Sequence, residues 1–320
     1  MRIRRFVIAK GGFTAGRCAA SKGGNAMRQW IVGGLFSAAF VLQSPAVAQE
    51  TGEPAGERDI VVTGNANVDR QLDDFVGALT QAPAGGQLSR FERAVCPTVV
   101  GVSPAHKDVL IARIRVVAKA AGLDVGGRSC VPNVLLVVTG DKRAFLEALR
   151  VKHGYYFGEM SGSAIRRLIA APGPAAAWQV DGPKLNAYGQ EMATNNGVAV
   201  NRTTRPDTRL SVGARPQFAA AAVVVESKAL EGLTTTQLAD YAAMRAFTRA
   251  DPSKVPASAP TILTVLEAPM DSEVPITMTS WDLAFLRSLY AAPATLTAAS
   301  QRSQVRQGLK QELEKPTRRE

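Results

Sequence analysis

The sequence predicts an α+β protein: an N-terminal βαβα unit with a disulfide, followed by a mixed strand and helix C-terminal part. Two observations predict the first half. Apolar β-branched runs alternate with amphipathic stretches between residues 98 and 152, and one cysteine precedes each of the two apolar runs. A third observation predicts the second half, where a long apolar run after residue 217 is followed by stretches that begin with helix-capping signals.

The segment before these elements has the pattern of a signal peptide. Met27 begins a short basic stretch, an apolar run over residues 31–42 follows, and small residues precede a cleavage site between Ala48 and Gln49. We therefore expect residues 1–48 to be a leader whose true start is Met27, and the mature protein to be periplasmic. Twelve apolar residues at about 1.5 Å each do not cross about 30 Å of hydrocarbon, so we expect no stable membrane span after cleavage.

The net charge depends on whether this leader is counted. The whole chain carries +11, from 38 basic and 27 acidic residues. Residues 1–48 hold seven basic residues and no acidic residue, which leaves +4 on the 272 residues from Gln49 onward. Most of the positive charge thus belongs to a segment that we expect to be removed, and we therefore expect no nucleic-acid partner.

Cysteine usage agrees with export. Cys18 lies in the leader, which leaves Cys96 and Cys130 as the pair in the mature chain. In an oxidising compartment such a pair predicts a disulfide, worth about 4 kcal/mol for a loop of this length. Two separate buried thiols are the alternative. A metal site is not expected, because neither cysteine belongs to a CxxC motif.

A polar tail over residues 49–58 precedes the first predicted subdomain, an α/β unit over residues 59–172. Its predicted elements, in chain order, are a strand over 60–63, a helix over 68–80, a strand over 98–102, a helix over 105–121, a strand over 134–139 and a helix over 141–152. We expect the last two strands to be parallel and joined by a right-handed crossover.

The predicted disulfide fits this arrangement. Cys96 precedes the first strand of the parallel pair and Cys130 precedes the second, so the bridge would clamp the same end of both strands. One face of the helix between them is apolar and is expected to pack on the sheet, at Val109, Leu110, Ile114, Val117 and Ala121.

A break that contains proline and glycine, after a predicted helix over 161–170, marks the boundary to a second subdomain over residues 173–299. Its predicted elements are a buried strand over 219–225, a helix opened by the capping box of Thr234 and Gln237, a Pro-rich connector over 252–260, a short helical run over 262–266, and a helix capped by Ser280 with Asp282 in its first turn.

Residues 184–216 leave two interpretations open, twisted strands and turns or a binding loop. Residues 300–320 alternate basic with acidic and amide side chains, which predicts a solvated helical tail.

The sequence offers little catalytic chemistry. His106 and His153 are its only histidines, and neither has a second histidine or a glutamate at the spacing of a helical zinc site. There is no serine-nucleophile elbow and no phosphate-binding loop, so we predict no catalytic residue, no metal and no cofactor. If the protein is an enzyme, Glu226 at the end of a buried strand is the candidate acid. The alternative is that Glu226 accepts hydrogen bonds from turn amides.

Basic residues cluster in two places. One cluster consists of Arg202, Arg205, Arg209 and Arg215, and the other lies in residues 302–319. Neither contains the aromatic residues on which nucleobases stack. A solvated face is one interpretation of each cluster. Contact with anionic lipopolysaccharide or phospholipid headgroups is the other.

Three segments of the C-terminal part carry a family resemblance: residues 223–226, the helix of residues 237–244, and residues 279–290. Together they resemble a degenerate zincin, the metalloprotease fold in which a strand precedes a zinc-binding helix. The chain is similar there to uncharacterised alphaproteobacterial exported proteins with a zincin-like layout. Where an HExxH motif would stand, this sequence has Gln237 and Tyr241 at the two ligand positions and Leu238 at the catalytic position. The resemblance therefore implies a scaffold without zinc.

These observations favour a non-enzymatic binding or structural protein of the cell envelope. Its expected partner is an envelope protein or an anionic envelope component. The alternative is a motif-poor hydrolase that acts on an envelope polymer through carboxylates, Glu226 among them. An enzyme of that kind would have a deep cleft with converging acids, whereas a binding module would have a shallow groove or an exposed sheet edge.

Overall fold

A computed structural model describes residues 65–80, 87–196, 198–200, 212–256, 259–269 and 272–314. Three predictions lie outside these residues: the leader with its cleavage site between Ala48 and Gln49, the polar tail over 49–58 and the strand over 60–63. None of the described helices combines the length and the apolar character that a membrane span requires.

The described residues form helices and a mixed sheet, which confirms the α+β class. The helices are α1 Asn65–Leu79, α2 Pro104–Ala120, α3 Lys142–His153, α4 Gly162–Ala170, α5 Thr235–Phe247, α6 Ser280–Ala291 and α7 Ala298–Glu314. The strands are β1 Pro97–Val100, β2 Val134–Thr139, β3 Ala175–Asp181, β4 Leu185–Asn186, β5 Ala193–Asn195, β6 Val198–Val200, β7 Ala214–Arg215 and β8 Phe218–Glu226. Within residues 184–216, the described segments are short antiparallel pairs, β4 with β7 and β5 with β6.

The main sheet has the strand order β1-β2-β8-β3. The first three strands are parallel, as predicted for β1 and β2, and β3 is antiparallel to β8. Strand β8 therefore lies between β2 and β3, although it comes after both in the chain. The boundary predicted at residue 173 runs through this sheet, because strands from both sides of it pair with one another.

Helices cover both faces of the sheet, and each strand divides its side chains between two cores. Helices α1, α2, α5, α6 and α7 enclose the larger core, against Val223 and Val225 of β8. Helices α3 and α4, with the 3-10 turn Gly154–Phe157, enclose a smaller core against Val224 and its neighbour Ala222. The near-continuous apolar run of β8 follows from burial on both faces.

The disulfide between Cys96 and Cys130 is present, with a Cα–Cα distance of 6.0 Å. The carbonyl of Cys96 accepts hydrogen bonds from the amides of Asn133 (3.0 Å) and Val134 (3.2 Å), the residues that lead into β2. The bridge therefore lies at the amino ends of β1 and β2, the position that the sequence predicts.

Three details of the helices differ from the predictions. In α2, Leu110, Ile114 and Val117 are buried as expected, but Val109 is 51% exposed, because the helix packs mainly on α5 and β1 and Val109 lies outside its buried stripe. Helix α6 is capped by Thr279 rather than Ser280, since Thr279 and Asp282 form a capping box. Helix α7 is not solvated all round: its residues Gln301, Val305 and Leu309 are buried, and the helix packs on α1 and α6.

Several helices end on a basic side chain that comes from a distant part of the chain. The last carbonyls of a helix have no partner within the helix and carry partial negative charge, so a cation there is favourable. Arg302 donates to Thr80 O after α1, Arg287 to Ala120 O of α2, and Arg90 to Leu289 O and Ala292 O of α6. These contacts fix the helices of the larger core to one another.

Candidate functional site

Glu226, the candidate acid, lies at the carboxyl end of β8 beside Thr139 of β2. Ligands of open parallel sheets bind at such an edge where the helices that follow adjacent strands diverge to opposite faces. This sheet has that geometry, because α3 follows β2 onto the smaller core and α5 follows β8 onto the larger core. The edge between β2 and β8 is therefore the first place to look for a site.

The groups at this edge bind one another. Glu226 Oε1 accepts a hydrogen bond from the amide of Lys142 (2.9 Å), and Asp141 Oδ1 accepts one from the amide of Ala144 (2.8 Å). Two carboxylates of the chain thus satisfy amides in the first turn of α3, where a ligand anion would otherwise bind. The geometry agrees with the second interpretation of Glu226, that of an acceptor for turn amides.

The side chain of Lys142 completes this cluster. Lys142 is 4% exposed, and its Nζ donates to Ala171 O (2.7 Å) and Gly173 O (2.6 Å) at the end of α4. Burial lowers the pKa of Lys142, and the carboxylate of Glu226 acts in the opposite direction. The cluster therefore joins β8, α3 and the α4–β3 connection, and its contacts are those of a structural joint.

A second buried ionic cluster lies on α5, the helix for which the sequence predicts a resemblance to zincins. Asp240 is fully buried, and its carboxylate accepts hydrogen bonds from Arg113 (2.6 and 2.8 Å), Thr277 Oγ1 (2.8 Å) and the amide of Met278 (2.7 Å). The paired carboxylate raises the pKa of the Arg113 guanidinium. Asp240 thus joins α5, α2 and the segment before α6.

The positions that HExxH would occupy make packing and capping contacts. Gln237 Oε1 accepts from the Thr234 amide (2.9 Å) and its Nε2 donates to Pro275 O (2.9 Å). Leu238 is buried, and the hydroxyl of Tyr241 accepts from Arg245 (2.6 Å). Burial is the main cause that raises the pKa of Tyr241. Among the described residues, no three His, Cys, Asp or Glu side chains come together as a metal site.

The histidines and the predicted basic clusters are also placed. His106 lies in the first turn of α2 and His153 is the last residue of α3. Arg215 pairs with Glu92 (3.3 Å), and Arg306 of the tail with Asp73 (3.2 Å). The arginines at 202, 205 and 209 lie outside the described residues.

One open groove of about 400 Å³ lies between α1 and α7. It is lined by Asp73, Val76, Gly77, Arg302, Ser303 and Arg306. Its charged groups are engaged within the protein, since Arg306 pairs with Asp73 and Arg302 caps α1. The groove therefore offers an incoming ligand few free polar groups.

A surface with free polar groups lies on the outer side of α3 and α4. We define the α3–α4 face as the exposed side of residues 141–171. These residues hold six basic and three acidic side chains. Because Lys142 is buried, the exposed side carries five basic and three acidic side chains, a net charge of +2. Four exposed cations of this face have no ion pair within the described part of the chain: Arg143, Lys152, Arg166 and Arg167.

Aromatic rings lie at the carboxyl end of α3, directly after Lys152 in the chain. We call His153, Tyr155 and Tyr156 the aromatic platform. The two tyrosine rings are 4.5 Å apart between centroids, and His153 meets them edge-on at 5.9 and 6.2 Å. Tyr155 is 68% exposed. The hydrogen bond with Tyr155 is the main cause that raises the pKa of Tyr156. The sequence analysis did not single out this surface, although two adjacent tyrosines in a basic segment were a visible signal.

Comparison of the chain with protein-family models, with curated proteins and with solved structures gave no match. The functional argument therefore depends on the geometry of this chain alone.

Proposed function

We propose that the protein is a non-enzymatic binding protein of the cell envelope that holds an anionic envelope component on its α3–α4 face. The observation that carries the proposal is the concentration of unpaired charge. Without the buried Lys142, residues 141–171 hold five basic and three acidic side chains, a net charge of +2, and the exposed cations Arg143, Lys152, Arg166 and Arg167 lack ion pairs in the described part of the molecule. Each Lys or Arg near an anionic membrane surface contributes about 1 kcal/mol of attraction.

The location of the charge supports binding rather than folding. Side chains that stabilise this protein bind carbonyls or carboxylates, as Arg90 and Arg302 do. The four free cations of the α3–α4 face make no such contact, so an anionic partner would be the first to satisfy them. The predicted leader supports a periplasmic location, where such partners are available.

The alternative, a hydrolase that works through carboxylates, has weaker support. Glu226 accepts a hydrogen bond from the Lys142 amide, so one of its carboxylate oxygens is already engaged within the protein. Hydrolysis of a glycosidic bond by this route needs two carboxyl groups that flank the substrate, and Asp141, the other carboxylate at this edge, also accepts a hydrogen bond from an amide of α3. We therefore propose a capping role for Glu226.

A binding experiment with charge-matched variants tests the proposal. The disulfide-bonded chain from Gln49 is titrated with lipopolysaccharide at low and at physiological salt. The double variant Arg166→Gln/Arg167→Gln removes two cations of the face, and we expect it to bind about 30-fold more weakly at low salt. High salt should reduce this difference, because the ions screen the attraction.

The control is Arg70→Gln/Arg128→Gln. Both arginines are exposed and lie outside the α3–α4 face, so this variant has the same net charge as the first. Its affinity should stay within about twofold of the wild type. Equal loss of binding in both double variants would mean that total charge, and not this face, attracts the ligand, and would refute the proposal.

A further inference from the structure

The aromatic platform exposes a ring that neither core of the protein uses. Tyr155 is the most exposed aromatic side chain in the described residues, at 68%, and it precedes a buried neighbour, Phe157. Tyrosine is a common anchor for ligands because its large flat surface loses little conformational freedom on binding. An exposed ring of this kind, three residues after the unpaired Lys152, suits a ligand with both an apolar face and negative charge.

The backbone that presents the ring is held firmly on the sheet. Phe157 stacks on Trp178 of β3 with centroids 5.0 Å apart, and Trp178 Nε1 donates to Tyr156 O (3.0 Å). Gly158 follows with φ of 60°, and a Cβ there would lie 2.7 Å from Val180. The turn thus has a defined position, and Tyr155 is exposed because of it.

Polar groups lie on the same side of α3 as the platform. Residues three apart on a helix are neighbours, so Glu147, Arg150 and His153 form a row that leads to Tyr155. Glu147 and Arg150 pair at 2.6 Å and both are about half exposed. Together they offer carboxylate acceptors and guanidinium donors, which suit the hydroxyl groups of a sugar. Lys152 adds an unpaired cation nearby.

The chemistry of this row narrows the choice of ligand. A pyranose ring has an apolar C–H face, which packs on the negative face of an aromatic ring, and a rim of hydroxyl groups. A quaternary ammonium group also binds aromatic rings, but the cations of the α3–α4 face would repel it. A sugar that carries phosphate or carboxylate offers a partner to the ring, to the Glu147–Arg150 pair and to the unpaired Lys152.

We infer that Tyr155 is a stacking site for a phosphorylated sugar ring of lipopolysaccharide, with Glu147 and Arg150 as hydroxyl partners. The inference rests on the proposed function and adds its ligand class and its contact residues. It commits to the sugar part of lipopolysaccharide rather than to its lipid part, because the platform offers one exposed ring and the polar pair of Glu147 and Arg150 lies on the same helix.

The test uses the delipidated core oligosaccharide of lipopolysaccharide, titrated against the disulfide-bonded chain from Gln49. Tyr155→Ala should weaken binding about tenfold at both low and high salt, because stacking is not screened. Tyr155→Phe should stay within about twofold of the wild type, since the ring remains. Tyr188→Ala is the matched control, because Tyr188 is 67% exposed and belongs to the segment between β4 and β5. Saturation-transfer NMR should detect the sugar ring protons in the wild type and not in Tyr155→Ala.

The outcomes separate this inference from the proposed function. If Arg166→Gln/Arg167→Gln weakens binding but Tyr155→Ala does not, the stacking site is refuted and the proposed function stands. If the wild type binds lipopolysaccharide but none of the oligosaccharide, the sugar site is refuted and the proposed function stands. If the wild type binds neither, both are refuted. Tighter binding of a single-stranded oligonucleotide, or equal binding of anionic phospholipid vesicles without sugar, would also refute the sugar site. Unchanged urea midpoints of the variants verify that each is folded.

Discussion

The helices on the two faces of the sheet use their basic side chains differently. On the larger-core side, Arg90 and Arg302 bind helix-end carbonyls, and Arg113 binds the buried carboxylate of Asp240. On the smaller-core side, Lys142 is buried in the same way, but the cations on the outer side of α3 and α4 lack ion pairs within the described residues. Several arginines of the larger-core side thus join helices, although exposed cations such as Arg70 and Lys119 also lie on that side without an ion pair among the described residues. The α3–α4 face differs because it groups four such cations on two successive helices.

This difference has a physical cause. Four helices and a long α7 converge on the larger core, so many helix ends are brought close to other helices and need cationic partners. Helices α3 and α4 make a single layer whose buried residues Leu146, Ile165 and Ile169 pack on the sheet, and the outer sides of both helices face solvent. Exposed charges contribute little to stability. The cations on that layer are therefore not required for folding and can serve to bind a partner.

The largest expected effect on stability comes from removing the carboxylate of Asp240, which joins α5, α2 and the segment before α6. Asp240→Ala removes a fully buried carboxylate and leaves the amide of Met278 and the hydroxyl of Thr277 without their acceptor. Loss of one partner of a buried ion pair costs about 3–5 kcal/mol, and we expect a fall of that size in the free energy of unfolding. Urea denaturation measures it. Asp74→Ala on the exposed side of α1 is the control and should change stability by less than about 0.5 kcal/mol. A similar small change for Asp240→Ala would contradict the role of the pair.

The next largest effect is expected from a comparison of the stability of variants at two lysines of α3, which lie ten residues apart. Lys142→Met leaves Ala171 O and Gly173 O without a donor, and we expect a loss of about 2 kcal/mol. Lys152→Met changes an exposed side chain and should be neutral within about 0.5 kcal/mol. The effects on lipopolysaccharide binding should be reversed. Lys152→Met should weaken binding, whereas Lys142→Met, measured under conditions in which it is folded, should not, since only Lys152 lies on the binding surface. Equal stability of the two variants would contradict the assignment of Lys142 to a structural joint.

The pH dependence of stability gives an independent test of Lys142. Burial lowers the pKa of Lys142 in the folded protein below its ordinary value of 10.5. Between the lowered pKa and 10.5 the unfolded chain binds a proton that the folded protein has released, so this group makes stability rise with pH. The buried Tyr241 and Tyr290 act oppositely, because burial raises their pKa and the unfolded chain loses their protons first. The difference between wild type and Lys142→Met, measured by urea denaturation from pH 7 to 11, isolates the lysine.

Local patterns predicted the elements but not their neighbours. Apolar runs and capping signals correctly indicated β1, β2, β8 and the helices α1 to α6, and cysteine positions correctly indicated the bridge between Cys96 and Cys130. The insertion of β8 between β2 and β3 was not predictable, because pairing depends on contacts between distant segments. The ion pair of Arg113 with Asp240 was not predictable for the same reason, because the two residues lie 127 positions apart in the chain.

The candidate site was harder to predict than the fold. Glu226 was located correctly at a strand end, but its role depends on the amide of Lys142, 84 residues earlier. The two tyrosines of the aromatic platform follow Gly154, a residue that the helical pattern indicates only as a helix end. Whether tyrosines after such a glycine are buried or exposed depends on how the next residue packs, and here Phe157 takes the buried position against Trp178. Burial of that kind is a property of the packed structure.

The smallest expected effect on stability concerns the pair of Glu147 and Arg150, and it separates binding from folding most directly. Both side chains are largely exposed and lie three residues apart on α3, a geometry worth about 0.2–0.5 kcal/mol. We therefore expect Arg150→Gln to leave the urea midpoint nearly unchanged while it weakens binding of the core oligosaccharide about fivefold. Arg287→Gln on the larger-core side is the control, because it loses the bond to Ala120 O and should lower stability without changing binding. If Arg150→Gln behaved like Arg287→Gln, the two faces would use their arginines alike, and the functional distinction between them would fail.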